Sequence, residues 1–231
     1  MRHFGIIILV SLVLLAPPGS SALAEMPMSG PSPISAQVQS VDLIGVAAAV
    51  KGTVELNRTG TVGKVIESGE NIFLGDQITT GDKGRLQILL LDETVFTIGP
   101  NSAMTIDQFV YDPSNHDGEI KAKIVKGTFR FVTGQIAHKK PSRMRVDLPA
   151  GSIGVRGTIV AGQVEGMHSF VALMGPGDGN NAGANQGSIV LSNVVNGQTV
   201  EETVNRTGYG SVIEGEGSAP LPAFQVPVEQ M

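Results

Sequence analysis

The chain has 231 residues, a formal charge of −5, 30 glycines, 13 prolines and only 4% aromatics, enough for one all-β domain with at most a small second module. The acidic balance argues against a general nucleic-acid or anionic-membrane binder. Cysteine is absent, which excludes disulfides, a lipobox and every thiol-based metal or catalytic site.

Residues 1–24 read as a signal peptide. Arg2 and His3 form a short basic start, Phe4–Ala16 is an apolar run, Pro17-Pro18-Gly19 breaks it, and Ala22-Leu23-Ala24 is an A-x-A cleavage signal. The run is shorter than the roughly 20 residues that a membrane span needs. The expected location is therefore periplasmic, or secreted as the alternative, with no membrane span after cleavage. Loss of Arg2 leaves 15 basic against 21 acidic residues, a formal charge of −6.

Residues 25–45, rich in Pro and Ser at the start, read as a flexible mature N-terminus. Val46–Leu56 is a strand pair or a bulged strand around Gly52, followed by a turn at Asn57–Gly60 and a short strand pair within Val62–Leu74. Residues 75–107 hold the strongest strand signal. Apolar β-formers run through Leu86–Leu91, stop at Asp92-Glu93, resume at Thr94–Ile98 and stop at Gly99–Ser102. This predicts a central antiparallel meander apolar enough on both faces to be buried. Ala103–Tyr111 is a further strand. In the polar loop Asp112–Gly118, placing Gly118 at the EF-hand glycine puts Pro113 and Ile124 at ligand positions, and neither supplies a side-chain oxygen.

Glu119–Val132 alternates charged and apolar residues over its first half, the period of a half-exposed strand. Gln135–Arg145 is the one basic cluster. It reads as a solvated loop, with His138, Lys139, Lys140, Arg143 and Arg145 as a candidate contact patch for an anionic envelope polymer or an acidic partner surface. Arg156 sits between Val155 and Gly157, so a structural ion pair is expected, with Asp147 or Asp107 as partner. Ile159–Met174 reads as a hairpin and 175–187 as a Gly/Asn-rich surface loop. Strands within 188–214 complete the sheet system or form an appended layer, and 215–231 reads as an extended or disordered tail.

Four blocks in order resemble the FecR domain: GDQITTGDKGRLQ at Gly75–Gln87, GPNS at Gly99–Ser102, KGTFRFVTG at Lys126–Gly134 and IGVRGT at Ile153–Thr158. The resemblance covers roughly Val46 to Leu173, within a domain bounded at 46–174. It implies a β-rich module like that of the envelope regulator of ferric-citrate uptake, which relays a receptor signal across the inner membrane to a sigma factor. With a cleavable leader and no cytosolic segment, this chain is expected to retain only the sensing or docking half. Its expected partner is an envelope protein, with an anionic cell-wall glycan or exopolysaccharide as the alternative.

No catalytic constellation stands out. His116, His138 and His168 share no i, i+2 or i, i+4 spacing, so no local zinc pair exists. Ser152 misses the G-x-S-x-G pattern by one residue, and Gly63-Lys64 lacks the rest of a P-loop. The expectation is a protein that is not an enzyme and uses no cofactor and no metal. The fold expected is all-β, with many short antiparallel strands in a rolled sandwich or solenoid-like roll and negligible helix beyond the leader.

Overall fold

Period-two burial organises the molecule. In Arg85–Leu90 the side chains alternate strictly outward and inward, with Leu86, Ile88 and Leu90 in the core. A computed structural model describes residues 42–175 and 187–227, all within one folded unit. The leader expected at 1–24, residues 25–41, the 176–186 part of the Gly/Asn-rich loop and 228–231 lie outside the described residues.

The strands run β1 (Leu43–Lys51), β2 (Val54–Asn57), β3 (Lys64–Val65), β4 (Asn71–Phe73), β5 (Gln77–Thr80), β6 (Arg85–Leu90), β7 (Val95–Ile98), β8 (Ala103–Asp112) and β9 (Asp117–Val132). A five-residue helix, α1 (Gln135–Lys139), and a 3-10 turn at Pro141–Arg143 follow. The rest are β10 (Met144–Leu148), β11 (Gly151–Arg156), β12 (Ile159–Glu165), β13 (His168–Leu173), β14 (Ser188–Val195), β15 (Gln198–Val204), β16 (Tyr209–Ile213) and β17 (Phe224–Gln225).

They form two sheets. The first runs β4-β1-β6-β7-β9-β12-β13-β16-β17. The second runs β3-β2-β5-β8-β9-β10-β11-β14-β15. All pairs are antiparallel except β9 with β10. The expected all-β class with negligible helix is what the chain adopts. Hairpins β10-β11, β12-β13, β14-β15 and β16-β17 are added alternately to the two sheets. The strands of 188–214 complete both sheets, and Ile189, Leu191, Val204 and Ile213 join the single core.

β9 belongs to both sheets. Up to Lys126 it pairs with β8; from Gly127 onward it pairs with β12. The change of sheet happens at Gly127, whose φ is 91°, a conformation that L side chains rarely adopt. A Cβ there would sit 2.5 Å from the Ser102 Cα. Gly127→Ala is therefore expected to cost about 2–3 kcal/mol, from the positive φ and the backbone displacement together. Chemical denaturation measures it.

Three expectations need correction. The 75–107 stretch is not one meander buried on both faces. β6 and β7 pair in the first sheet, β5 and β8 pair in the second, and β6 buries only one side. The two crossings are tied together where Thr80 Oγ1 donates to Gly99 O at 2.6 Å and Ser102 N donates to Thr80 Oγ1 at 2.9 Å. Second, 43–45 belong to β1, so the folded domain begins before the expected Val46. Third, 215–227 is not a disordered tail. Asn193 Nδ2 donates to Gly215 O and Ser218 O, Ser211 Oγ donates to Leu221 O, and Val226 is buried.

Candidate functional site

The basic segment is held by one buried carboxylate. The Asp92 side chain, fully buried in the β6–β7 turn, accepts from Thr94 Oγ1 at 2.8 Å, Thr94 N at 3.1 Å and Ile136 N at 3.4 Å. Gln135 N donates to Asp92 O at 2.8 Å, and Gly134 N to Thr94 Oγ1 at 3.0 Å. Gln135–Arg145 is thus α1, a 3-10 turn and the first two residues of β10, with Ile136 and Ala137 in the core, and not the simple loop expected. Burial raises the Asp92 carboxyl above its ordinary value, against the hydrogen bonds that lower it. A raised folded value means that the native state binds the proton more tightly than the unfolded chain does. That contribution is full below the unfolded value and is lost as pH rises through the folded one. Asp92→Asn is expected to flatten this part of the stability–pH curve, read as the difference between the two proteins in urea melts from pH 3 to 7.

The five patch residues do come together, but most of their charge is met. Lys140 pairs with Asp117 at 3.0 Å, Arg143 with Glu119 at 3.0 Å and Arg145 with Asp147 at 2.6 Å. Lys139 Nζ donates to Asn115 O at 2.6 Å, and His138 is exposed. The Lys140 hydrogen bond holds the Asp117 carboxyl below its usual value. These are exposed contacts, each worth little stability. Those of Lys139, Lys140 and Arg143 tie the segment to the β8–β9 hairpin, while Arg145 and Asp147 pair within β10.

The expected Arg156–Asp147 pair does not form. Asp147 stands opposite Ser152 in the β10–β11 register, four residues along the strand from Arg156. It is occupied by Arg145 and by Lys121 at 3.3 Å, while Arg156 is exposed and needs no buried partner. Asp107 is exposed on β8 and is not its partner either. Asp107, Lys123, Arg145, Asp147, Ser152 and Thr199 line a polar depression of about 520 Å³ on the outer side of the second sheet. Ser152 Oγ lies 2.8 Å from Ser192 Oγ there, a cross-strand contact and not a nucleophile with a base.

The sheet edges are unequal. β3 and β17 have two residues and β4 three, whereas β15 has seven and pairs only with β14 among the described residues. Its far side carries backbone groups that no strand meets, with Glu201 exposed and Glu202 accepting from Ala223 N at 2.8 Å.

Sequence reasoning missed the ion pair between Arg58, within a turn, and the buried Asp76. Among the described residues, no group of three His, Asp or Glu side chains is placed to hold a metal ion. His116 meets Tyr111 Oη through Nδ1 at 2.9 Å on the β8–β9 turn.

A family model described as FecR protein matches residues 76–174. No curated protein matches the chain. Among solved structures, a candidate anti-sigma factor from Parabacteroides distasonis is similar at 10% identity, with a TM-score of 0.46, over 66% of this chain and 61% of that one. The chain thus spans less than two thirds of that relative's length.

Proposed function

From the FecR domain that residues 76–174 carry, we propose that this protein is a non-enzymatic regulator that works in the bacterial envelope by recognising another protein, sensing or relaying a signal. The observation that carries the reading is the β15 edge. Among the described residues it is the longest strand with a single partner strand along its whole length, and a partner strand can add to it through main-chain hydrogen bonds. Glu201 and Glu202 favour a strand with lysine or arginine opposite and oppose pairing of β15 with itself. Placement in the periplasm rests on the Arg2–Ala24 leader pattern, and mass analysis of the exported chain tests it by the loss of residues 1–24.

A photo-crosslinking side chain at Thr199 or Thr203 in living cells is expected to trap one envelope protein, and Glu201→Lys to abolish the adduct. Recovery of peptidoglycan fragments alone would end this reading. The polar depression over Asp107, Lys123 and Ser152 supports a second one, an anionic cell-wall or exopolysaccharide ligand. Against it, two of the three cations that line it, Lys121 and Arg145, are already paired with carboxylates. Salt-sensitive retention on peptidoglycan would favour the glycan.

A further inference from the structure

The outer side of the first sheet carries an unbroken cross-strand row of apolar residues. Val46 lies opposite Leu89, Leu89 opposite Val95, Val95 opposite Val132, and Val132 opposite Ile159. All five are outside the core proper, although the residues before or after them in sequence, such as Ile88, Phe96, Phe131 and Val160, are fully buried. Leu43 and Leu91 extend the row toward one end of the strands. Leu43, Leu89 and Leu91 are 43%, 40% and 52% exposed. With strands about 4.8 Å apart, the row is about 20 Å wide, the scale of the apolar centre of an interface and larger than a scattered surface valine.

Beside the row on β1, β6 and β9 the charges are opposite in sign at the two ends of the strands, and an exposed acid, Glu165, stands farther along β12 on the basic side. Toward one end of the strands lie Lys51, Arg85 and Arg130, all exposed and in no ion pair among the described residues. Beyond the other end lie Asp42 and Glu93, exposed and likewise without a cation.

We infer that this face is a self-association surface whose occupant is a second copy of the chain. A two-fold axis lying along the row stacks the two apolar rows and reverses strand direction between the copies. The basic flank of each copy then faces the acidic flank of the other, and the interface is self-complementary as a two-fold requires. A partner with a uniformly acidic or basic surface would leave one flank opposed by like charge. The surface lies on the other sheet from β15 and does not depend on the function proposed above.

Sedimentation equilibrium on protein purified from cells making the full chain tests this. The expected result is a dimer that Leu89→Asp weakens by about tenfold or more, and that Arg130→Glu weakens most at low salt. Val194→Asp, an exposed change on the second sheet, should leave dimerisation unchanged. If Leu89→Asp lowers the melting temperature too far to purify, Leu91→Asp, at the exposed strand end, provides the same reading. A wild-type protein that stays monomeric at high micromolar concentration overturns the inference. So does a dimer that persists in both leucine variants, or one lost in Val194→Asp.

Discussion

Phe131→Ala is expected to cost about 3–5 kcal/mol of folding free energy. Phe131 has no exposed surface and sits on β9, where its ring lies 5.4 Å from that of Phe96 and 6.2 Å from that of Phe129. It stands opposite Phe96 on β7 and Val160 on β12, so truncation empties a site held by three strands at once. Close-packed neighbours on continuous strands cannot collapse far into the space, which places the loss toward the upper part of the range for large-to-small changes. Urea denaturation gives the value. A loss below about 1 kcal/mol would show that the aromatic cluster is not the centre of the core.

Arg58→Ala has the second largest expected effect, about 3 kcal/mol. Arg58 Nε donates to Asp76 Oδ1 at 2.6 Å and Nη2 to Oδ2 at 2.8 Å, a bidentate pair that locks the turn after β2 to the β4–β5 turn. The guanidinium also lies 4.2 Å from the Phe73 ring centre, and Phe73 N donates to Asp76 Oδ2 at 2.9 Å. The Asp76 side chain is inaccessible to water while that of Arg58 is 24% exposed. Removing the arginine therefore leaves a buried anion without a cation, the expensive half of the pair. Arg58→Lys keeps the charge and loses the fork geometry, so its cost should fall between wild type and alanine. Adding Asp76→Ala to Arg58→Ala should recover part of the loss, and a double-mutant cycle measures the coupling.

What the sequence made legible was whatever is local. The turns at Gly52, Asn196-Gly197 and Gly99–Ser102, and the alternation of Glu119–Lys123, follow from backbone geometry and period two. The 75–107 stretch misled for a physical reason: Leu89, Leu91 and Val95 are apolar yet point outward, so composition alone imitates a strand buried on both sides. The assignment of β5 and β8 to a different sheet from β6 and β7 depends on bonds between residues 19 to 22 positions apart. Arg156 illustrates the converse. Apolar neighbours suggested burial, but its place at the end of β11 puts it in solvent. Asp92 read as a turn residue because nothing local shows that α1 folds over it. The segment after Glu214 carries the Pro and Gly of a loose tail, and what orders it lies on other strands: the amide of Asn193, the hydroxyl of Ser211, the carboxylate of Glu202 and the backbone of β16.

The alternating order of the hairpins also decides where the chain can be cut. The family match stops at Met174, but β11 and β13 each pair along their length with strands that come later, β14 and β16. A gene fragment ending at the match would strip a neighbour from both layers at once, baring Ile153, Val155 and Val171 beside two raw edges. Such a fragment would precipitate or pair with its own kind, so the smallest piece able to fold alone extends past the matched region to the residues around Val226.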